Sequence, residues 1–479
     1  MNSHLKKFLL LAFAAALLTA NGFLLPVLNR QRAALGITRL EPLENAPPML
    51  ALTTQVLGGF RGLIANALWI RSTQLQEDGK YFEMVQLADW ITKLEPHIVT
   101  VWTVQAWNMA FNISVKFPNP EDRWRWVQRG LELLRDDALR YNPDQPGLYS
   151  DLAWMFQFKM GQNLDDAHFY YKAAWADEMM TVFGGPRPDF ERLANPQTPD
   201  EQARAKLLRE KYKMDAAKMR AVNDRYGPLD WRLPEVHAIY WSSVGLDKCK
   251  KDEDVRKLRT AIHQSMNLTF QRGTLVLVPN QPPRLMPNLD IVDKVNASFQ
   301  EQLAGSPAPL TNGVATAWKN FLKDVPYQFF IYKGTRGGEG AKWLRYLREK
   351  FPGTVPADVT LAEYSVLRAM ENAQSQGQVK IVQLISGMFR QSYYALIDGA
   401  EDDAQEYRQR ATDLWSAYQK RNAGNQRLDI GPLDNFKDFA LRGLLGPNGG
   451  LTPEEKAVLR TREPRAAAIP AEAEPPKKP

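Results

Sequence analysis

The stretch GKYFEMVQLADWITKLEP, Gly79 to Pro96, is a helical unit with its own start and stop. Gly79 opens a turn, Tyr81 and Met84 point towards a partner helix, and Pro96 ends the unit because proline cannot continue a helix. The sequence VTVW (99–102) follows directly and places Trp102 early in the next helix. A second Pro-terminated stretch, RGLELLRDDALRYNP (129–143), sets Ala138 and Pro143 five apart. A third unit begins near Leu148 with Tyr149, runs through Ala153 and Phe156, and resumes with Ala167, Tyr171 and Ala174 at helical intervals.

From Ala65 to Glu178 these units resemble the tetratricopeptide repeat, a helix–turn–helix of roughly 34 residues. Ala138 and Pro143 match the spacing of that family's late small residue and closing proline. The Leu-Gly pair of the family's first helix is missing, and FPNPEDRWRW (117–126) reads as an insert that displaces the second unit's second helix. The resemblance implies a mainly α fold, a right-handed helical-hairpin solenoid, with a divergent, mostly helical C-terminal half. It also implies a concave surface that holds another protein or a peptide.

Upstream, Lys6 and Lys7 precede an apolar run from Phe8 to Leu28, closed by Arg30 and Arg32. As a helix that run spans about 31 Å, close to the ~30 Å hydrocarbon layer. The expectation is an uncleaved single-pass anchor in a bacterial inner membrane. A cut after Ala20 would put Leu18 where a small residue is wanted. Flanking charges nearly balance, and the very short N-terminal tail places the body in the periplasm.

The expected organisation is an anchor over 1–30, a Pro-rich linker over 31–49 and repeats over 50–180. A divergent helical continuation follows over 181–270, with PLDWRLPEVHAIYWSSVGL (228–246) as a first helix and Asp252 to Met266 as its packing partner. Residues 271–340 read as an irregular connector in which TLVLV (274–278) and YQFFIY (327–332) are strands, buried helix ends or extended links. A C-terminal helical region covers 341–446. The Pro- and Ala-rich residues of 447–479 read as a disordered tail.

A net charge of +7 is spread over 479 residues, with basic and acidic side chains interleaved. That pattern belongs to solvated helix faces, so no nucleic-acid partner is expected. The single cysteine, Cys249, cannot form an intrachain disulfide. Five scattered histidines lack metal-ligand spacing, and no nucleophile elbow or phosphate-binding loop is present. The chain is therefore read as a binding protein without catalysis, metal or cofactor.

Three groups are candidates for partner contact. Asn108 and Asn112 sit four apart on one helix face, where amides can bind a peptide backbone. Arg123, Trp124, Arg125 and Trp126 form an aromatic–basic loop in the insert. Trp231, Arg232, His237, Tyr240 and Trp241 make the densest aromatic–polar cluster, which would serve a cell-envelope enzyme or glycan-binding protein as the alternative function. Trp102, Trp154 and Trp175, at repeat positions, are expected in the core.

Overall fold

Gly79 adopts a positive φ of 71°, which lets the chain reverse between two helices, α1 (Arg61–Glu77) and α2 (Tyr81–Leu94). In this computed structural model Ala65 of α1 packs with Ile91 and Leu94 of α2 and with Val101. The structure describes residues 61–277, 284–305, 308–334, 338–373, 377–446 and 449–469, with scattered positions between 12 and 31. The chain divides into two units, residues 1–101 and 102–479.

The anchor expected over residues 8–28 falls largely outside the described residues. The positions described between 12 and 31 are helical and exposed, Phe13, Leu17, Phe23 and Leu24 included. Among the described residues no helix is long and apolar enough to cross a membrane.

The fold is mainly α. Helix α3 (Val99–Trp107), whose first three residues belong to the first unit, runs on into a π-helical turn of the second, Asn108–Ile113. Helix α4 (Pro120–Glu132) packs back on that turn and continues through a second π turn, Leu133–Ala138. Pro120 at its first position and Glu121 and Asp122 in its first turn explain where α4 begins. This corrects the reading of FPNPEDRWRW as an insert: only its start is a turn, and Arg123 to Trp126 belong to α4. Gly130 lets the two helices approach, since a Cβ there would lie 2.8 Å from the Ala106 carbonyl oxygen.

Helix α5 (Pro146–Trp154) repeats the pattern of α3, running into a π turn over Met155–Gly161. Helix α6 (His168–Phe183) packs against that turn, and Gly184, at φ 71°, caps α6. Three short helices follow: α7 (Phe190–Ala194), α8 (Pro199–Glu210) and α9 (Ala216–Tyr226). Helix α10 (Pro234–Leu246) is buried at every position from Pro234 to Ser242, the polar Glu235, His237 and Ser242 included. It lies between α5 and α11 (Asp252–Arg272). At Gly245 a Cβ would come within 2.6 Å of the Tyr149 Cβ, so glycine sets the approach of α10 to α5.

Residues 271–340 are more regular than an irregular connector. TLV pairs as β1 (Thr274–Val276) with β2 (Arg284–Met286), an antiparallel hairpin in which Leu275 faces Leu285. Then come α12 (Val292–Gly305) and α13 (Ala308–Lys333), so YQFFIY is the end of a helix and not a strand. Its Tyr327, Phe330 and Ile331 enter a C-terminal core.

That core is completed by α15 (Leu361–Ala373), which follows α14 (Glu339–Lys350), and by α16 (Gly377–Ile397), α17 (Glu401–Arg421) and α18 (Leu433–Leu445). The tail expected to be disordered is ordered as far as residue 469. Thr452 and Glu455 form a capping box that starts α19 (Pro453–Arg462), and Leu459, Ala466 and Ile469 are buried in the same core. The Arg462 guanidinium donates to the Leu396 carbonyl at 2.8 Å, which ties α19 to α16.

Candidate functional site

The aromatic surface of the second unit arises from one motif used twice. Ala106-Trp107 with Phe111 on α3, and Ala153-Trp154 with Phe158 on α5, repeat the pattern A-W-x-x-x-F. Both alanines are fully buried and seat the helices, while each tryptophan directly precedes a π turn that carries the phenylalanine. Four residues apart, each pair lies on one helix face.

The four rings form a continuous ladder. Trp107 and Phe111 stack at 5.7 Å, Phe111 meets Trp154 at 4.9 Å, and Trp154 stacks on Phe158 at 5.2 Å. Trp107 is 42% exposed and Trp154 37% exposed, and Leu164 and Phe169 nearby are exposed further. Trp154, expected in the core, is therefore a surface residue: it packs on Phe111 and Phe158 and leaves about a third of its surface open.

Two concavities flank the ladder. A pocket of about 400 Å³ reaches Phe111 and Phe158 and is closed by Arg123, Lys159 and Asp165. Lys159, almost fully buried, donates to Asp165 at 2.5 Å and lies 4.9 Å from the Phe111 ring centre. Arg123 bonds Asp165 at 3.3 Å, also contacts Asp166, and donates to the Phe117 carbonyl. Burial pushes the Asp165 carboxyl up, but the bonds from Lys159 and the Ala167 amide outweigh it and hold its pKa below the usual value. The charges here satisfy one another and brace the end of α5 against α4.

The larger cleft, about 610 Å³, has Trp154 and Phe158 on one wall and α11 on the other. Gln157 donates to Gln264 at 3.2 Å across its floor. Arg256, Lys257 and Arg259 line the α11 side. Lys257 pairs with Glu253 at 2.9 Å, whereas Arg256 and Arg259 make no hydrogen bond or ion pair among the described residues.

The residues singled out from sequence are distributed differently. Asn108 is buried, and its Oδ1 accepts from the Asn112 amide at 2.5 Å, so this pair faces inward beside the ladder. Trp124 is buried and stacks on Tyr171 at 5.9 Å. Trp126 stacks on Phe117, and exposed Arg125 pairs with Asp122 one helical turn earlier. Of this group only Arg123 reaches the flanking pocket.

The cluster from Trp231 to Trp241 is core. Trp231, His237, Tyr240 and Trp241 are all nearly or fully buried, which removes the surface that a glycan or substrate would need. His237 Nε2 lies 2.8 Å from the Trp231 carbonyl, and its ring stacks on Phe156 at 5.4 Å. Enclosure lowers its pKa to about 4, against the weaker opposing effect of that carbonyl. The Tyr240 hydroxyl accepts from the Asp215 amide at 2.8 Å. Arg232 pairs with Asp230 and donates to the Leu275 carbonyl at 2.7 Å, fastening β1 to the helices.

Trp107, Phe111 and Phe158 were not singled out from sequence. The signal that finds them is the repeated A-W-x-x-x-F at equivalent places in successive helical units, which outweighs the density of aromatics elsewhere. Among the described residues no group of His, Cys, Asp and Glu is placed to hold a metal ion. No family model matches the chain, and neither does any curated protein or solved structure.

Proposed function

We propose that this chain is a membrane-tethered, tetratricopeptide-like scaffold that binds another protein or a peptide and performs no catalysis. The observation that carries the reading is the four-ring ladder of Trp107, Phe111, Trp154 and Phe158, whose two tryptophans are exposed and whose two phenylalanines are half-buried between and beside them. Large rings left open to water in a contiguous row cost solvation that burial against a partner would recover, and tryptophan anchors dominate protein interfaces. The duplicated motif supports an array whose successive units present equivalent side chains. The apolar run of 8–28 supplies the tether in a bacterial inner membrane, with the body in the periplasm, and raises the local concentration of whatever the array holds.

The test is crosslinking in native-host membranes with Trp107→Ala/Trp154→Ala against the unaltered chain. The reading expects a discrete crosslinked partner that the double variant loses while its membrane abundance stays the same. A partner retained undiminished by the double variant would count against the ladder as the binding surface.

A further inference from the structure

The cleft beside the ladder has a charge asymmetry that specifies its occupant more narrowly. Its α11 wall carries Arg256, Lys257 and Arg259, and the carboxylates on its rim are Glu253 and Glu301. Glu253 is engaged by Lys257 at 2.9 Å, and Glu301 lies 3.9 Å from Arg225 on α9. Arg256 acts on Glu253 only at longer range, and neither Arg256 nor Arg259 makes an ion pair among the described residues. Opposite them stand the indole of Trp154 and the ring of Phe158.

We infer that the cleft binds an extended acidic–aromatic peptide segment, with carboxylates on Arg256 and Arg259 and apolar side chains on Trp154 and Phe158. This rests on the scaffold reading above and names the class of partner. The spacing fits: residues three apart on a helix have Cβ atoms about 5–6 Å apart, and alternate residues of an extended strand lie ~6.8 Å apart. Because alternate side chains of a strand point to opposite sides, one segment can present acids to α11 and rings to α5 at once. Gln157 and Gln264 on the floor offer amide groups to its backbone.

A single-stranded nucleic acid also combines negative charge with stacking rings. The cleft disfavours it, since two unpaired guanidinium groups on one wall would face a phosphate at every nucleotide, whereas a peptide can place acids only opposite them. The ladder rings, already 4.9 to 5.7 Å apart, also leave no slot between them for a base.

The test measures fluorescence anisotropy on the full chain in detergent micelles. The probes are labelled peptides of about nine residues, roughly 30 Å when extended. One alternates Glu with Phe, one alternates Lys with Phe, and a single-stranded oligonucleotide is the third. The Glu–Phe probe should bind at least about tenfold more tightly than the Lys–Phe probe. The variant Arg256→Glu/Arg259→Glu, altering two exposed side chains, should weaken the Glu–Phe probe at least about tenfold and reverse the sign of its salt dependence. Equal affinity for the two peptides, no binding of the Glu–Phe probe, or tighter binding of the oligonucleotide would each overturn the inference. If membrane crosslinking still depends on Trp107 and Trp154 in any of those cases, the scaffold reading stands and only the acidic partner is lost.

Discussion

Replacing His237 with Gln should flatten the acid side of the stability curve. His237 is fully buried, and enclosure lowers its pKa from 6.5 to about 4. As pH falls, the unfolded chain takes up the proton before the folded one does. The stability that His237 contributes is therefore complete above about 6.5 and is lost as pH drops towards about 4. A gap of about 2.5 units, at ~1.36 kcal/mol each, amounts to roughly 3 kcal/mol. His263, lowered by burial to about 4, acts in the same direction. Asp151 opposes both: burial raises it from 3.8 to about 6, against the pull of Lys257. Its contribution is complete below about 4 and is lost as pH rises through about 6.

The unaltered chain therefore sums opposing slopes, and only a comparison with a single variant isolates one group. Gln keeps a donor within reach of the Trp231 carbonyl but cannot titrate. Urea unfolding of the full chain in detergent, followed by tryptophan fluorescence at about pH 7, 5.5 and 4.5, provides the measurement. Over that range H237Q should lose roughly 2–3 kcal/mol less stability than the unaltered chain, whatever its absolute stability at pH 7. Parallel pH profiles for the two proteins would refute the argument that His237 is held neutral by burial.

Three further outcomes follow from packing and can be read by the same unfolding assay. Gly245→Ala gains about 1 kcal/mol of helix propensity but drives a methyl to 2.6 Å from the Tyr149 Cβ; with overpacking at about 1–3 kcal/mol, the clash should win and the midpoint should fall. Lys159→Met strips Asp165 of its closest cation but leaves Arg123 and the Ala167 amide in place, so the loss should be about 3 kcal/mol, the low end for a broken buried pair. Truncation after Gly446 exposes the core surface that Leu459, Ala466 and Ile469 cover, and should cost roughly 3 kcal/mol or more.

Helix content and several boundaries were legible because local chemistry agrees with the fold. Gly79 makes its turn, Pro234 starts α10, and Asp252 opens α11, which packs along α10. The start of α4 is the exception: FPNPEDRWRW resembles an insert because it interrupts the repeat pattern, yet Pro120 followed by two acids is a helix-start signal. Two segments are decided by tertiary packing: 327–332, which reads equally as strand, buried helix end or extended link, and 449–469, which reads as disordered. β-branched and aromatic residues at 327–332 favour a strand locally, yet they continue a long helix whose face fills the C-terminal core. Residues 449–469 are sparse in bulky apolar side chains, but Leu459 and Ile469 are buried in the core, with Leu451 packed against it.

The site was less legible than the fold, for a physical reason. Composition shows where aromatics are dense, and density peaks where rings pack on one another, as at Trp231 to Trp241. Exposure depends on which face of a helix is left uncovered. For Trp154 that is settled by the placement of α10 and α11 around α5, about a hundred residues downstream; the repeated A-W-x-x-x-F marks the rings but not which of them stay open.

The central claim, that the ladder is where a partner binds, is tested most directly by placing a photocrosslinking amino acid at position 107. The control carries it at Lys206, an exposed residue on α8. Irradiation in native-host membranes should yield a discrete protein adduct from position 107 and none from 206. Equal adducts from both positions, or none from 107 while the chain remains folded and membrane-bound, would contradict it.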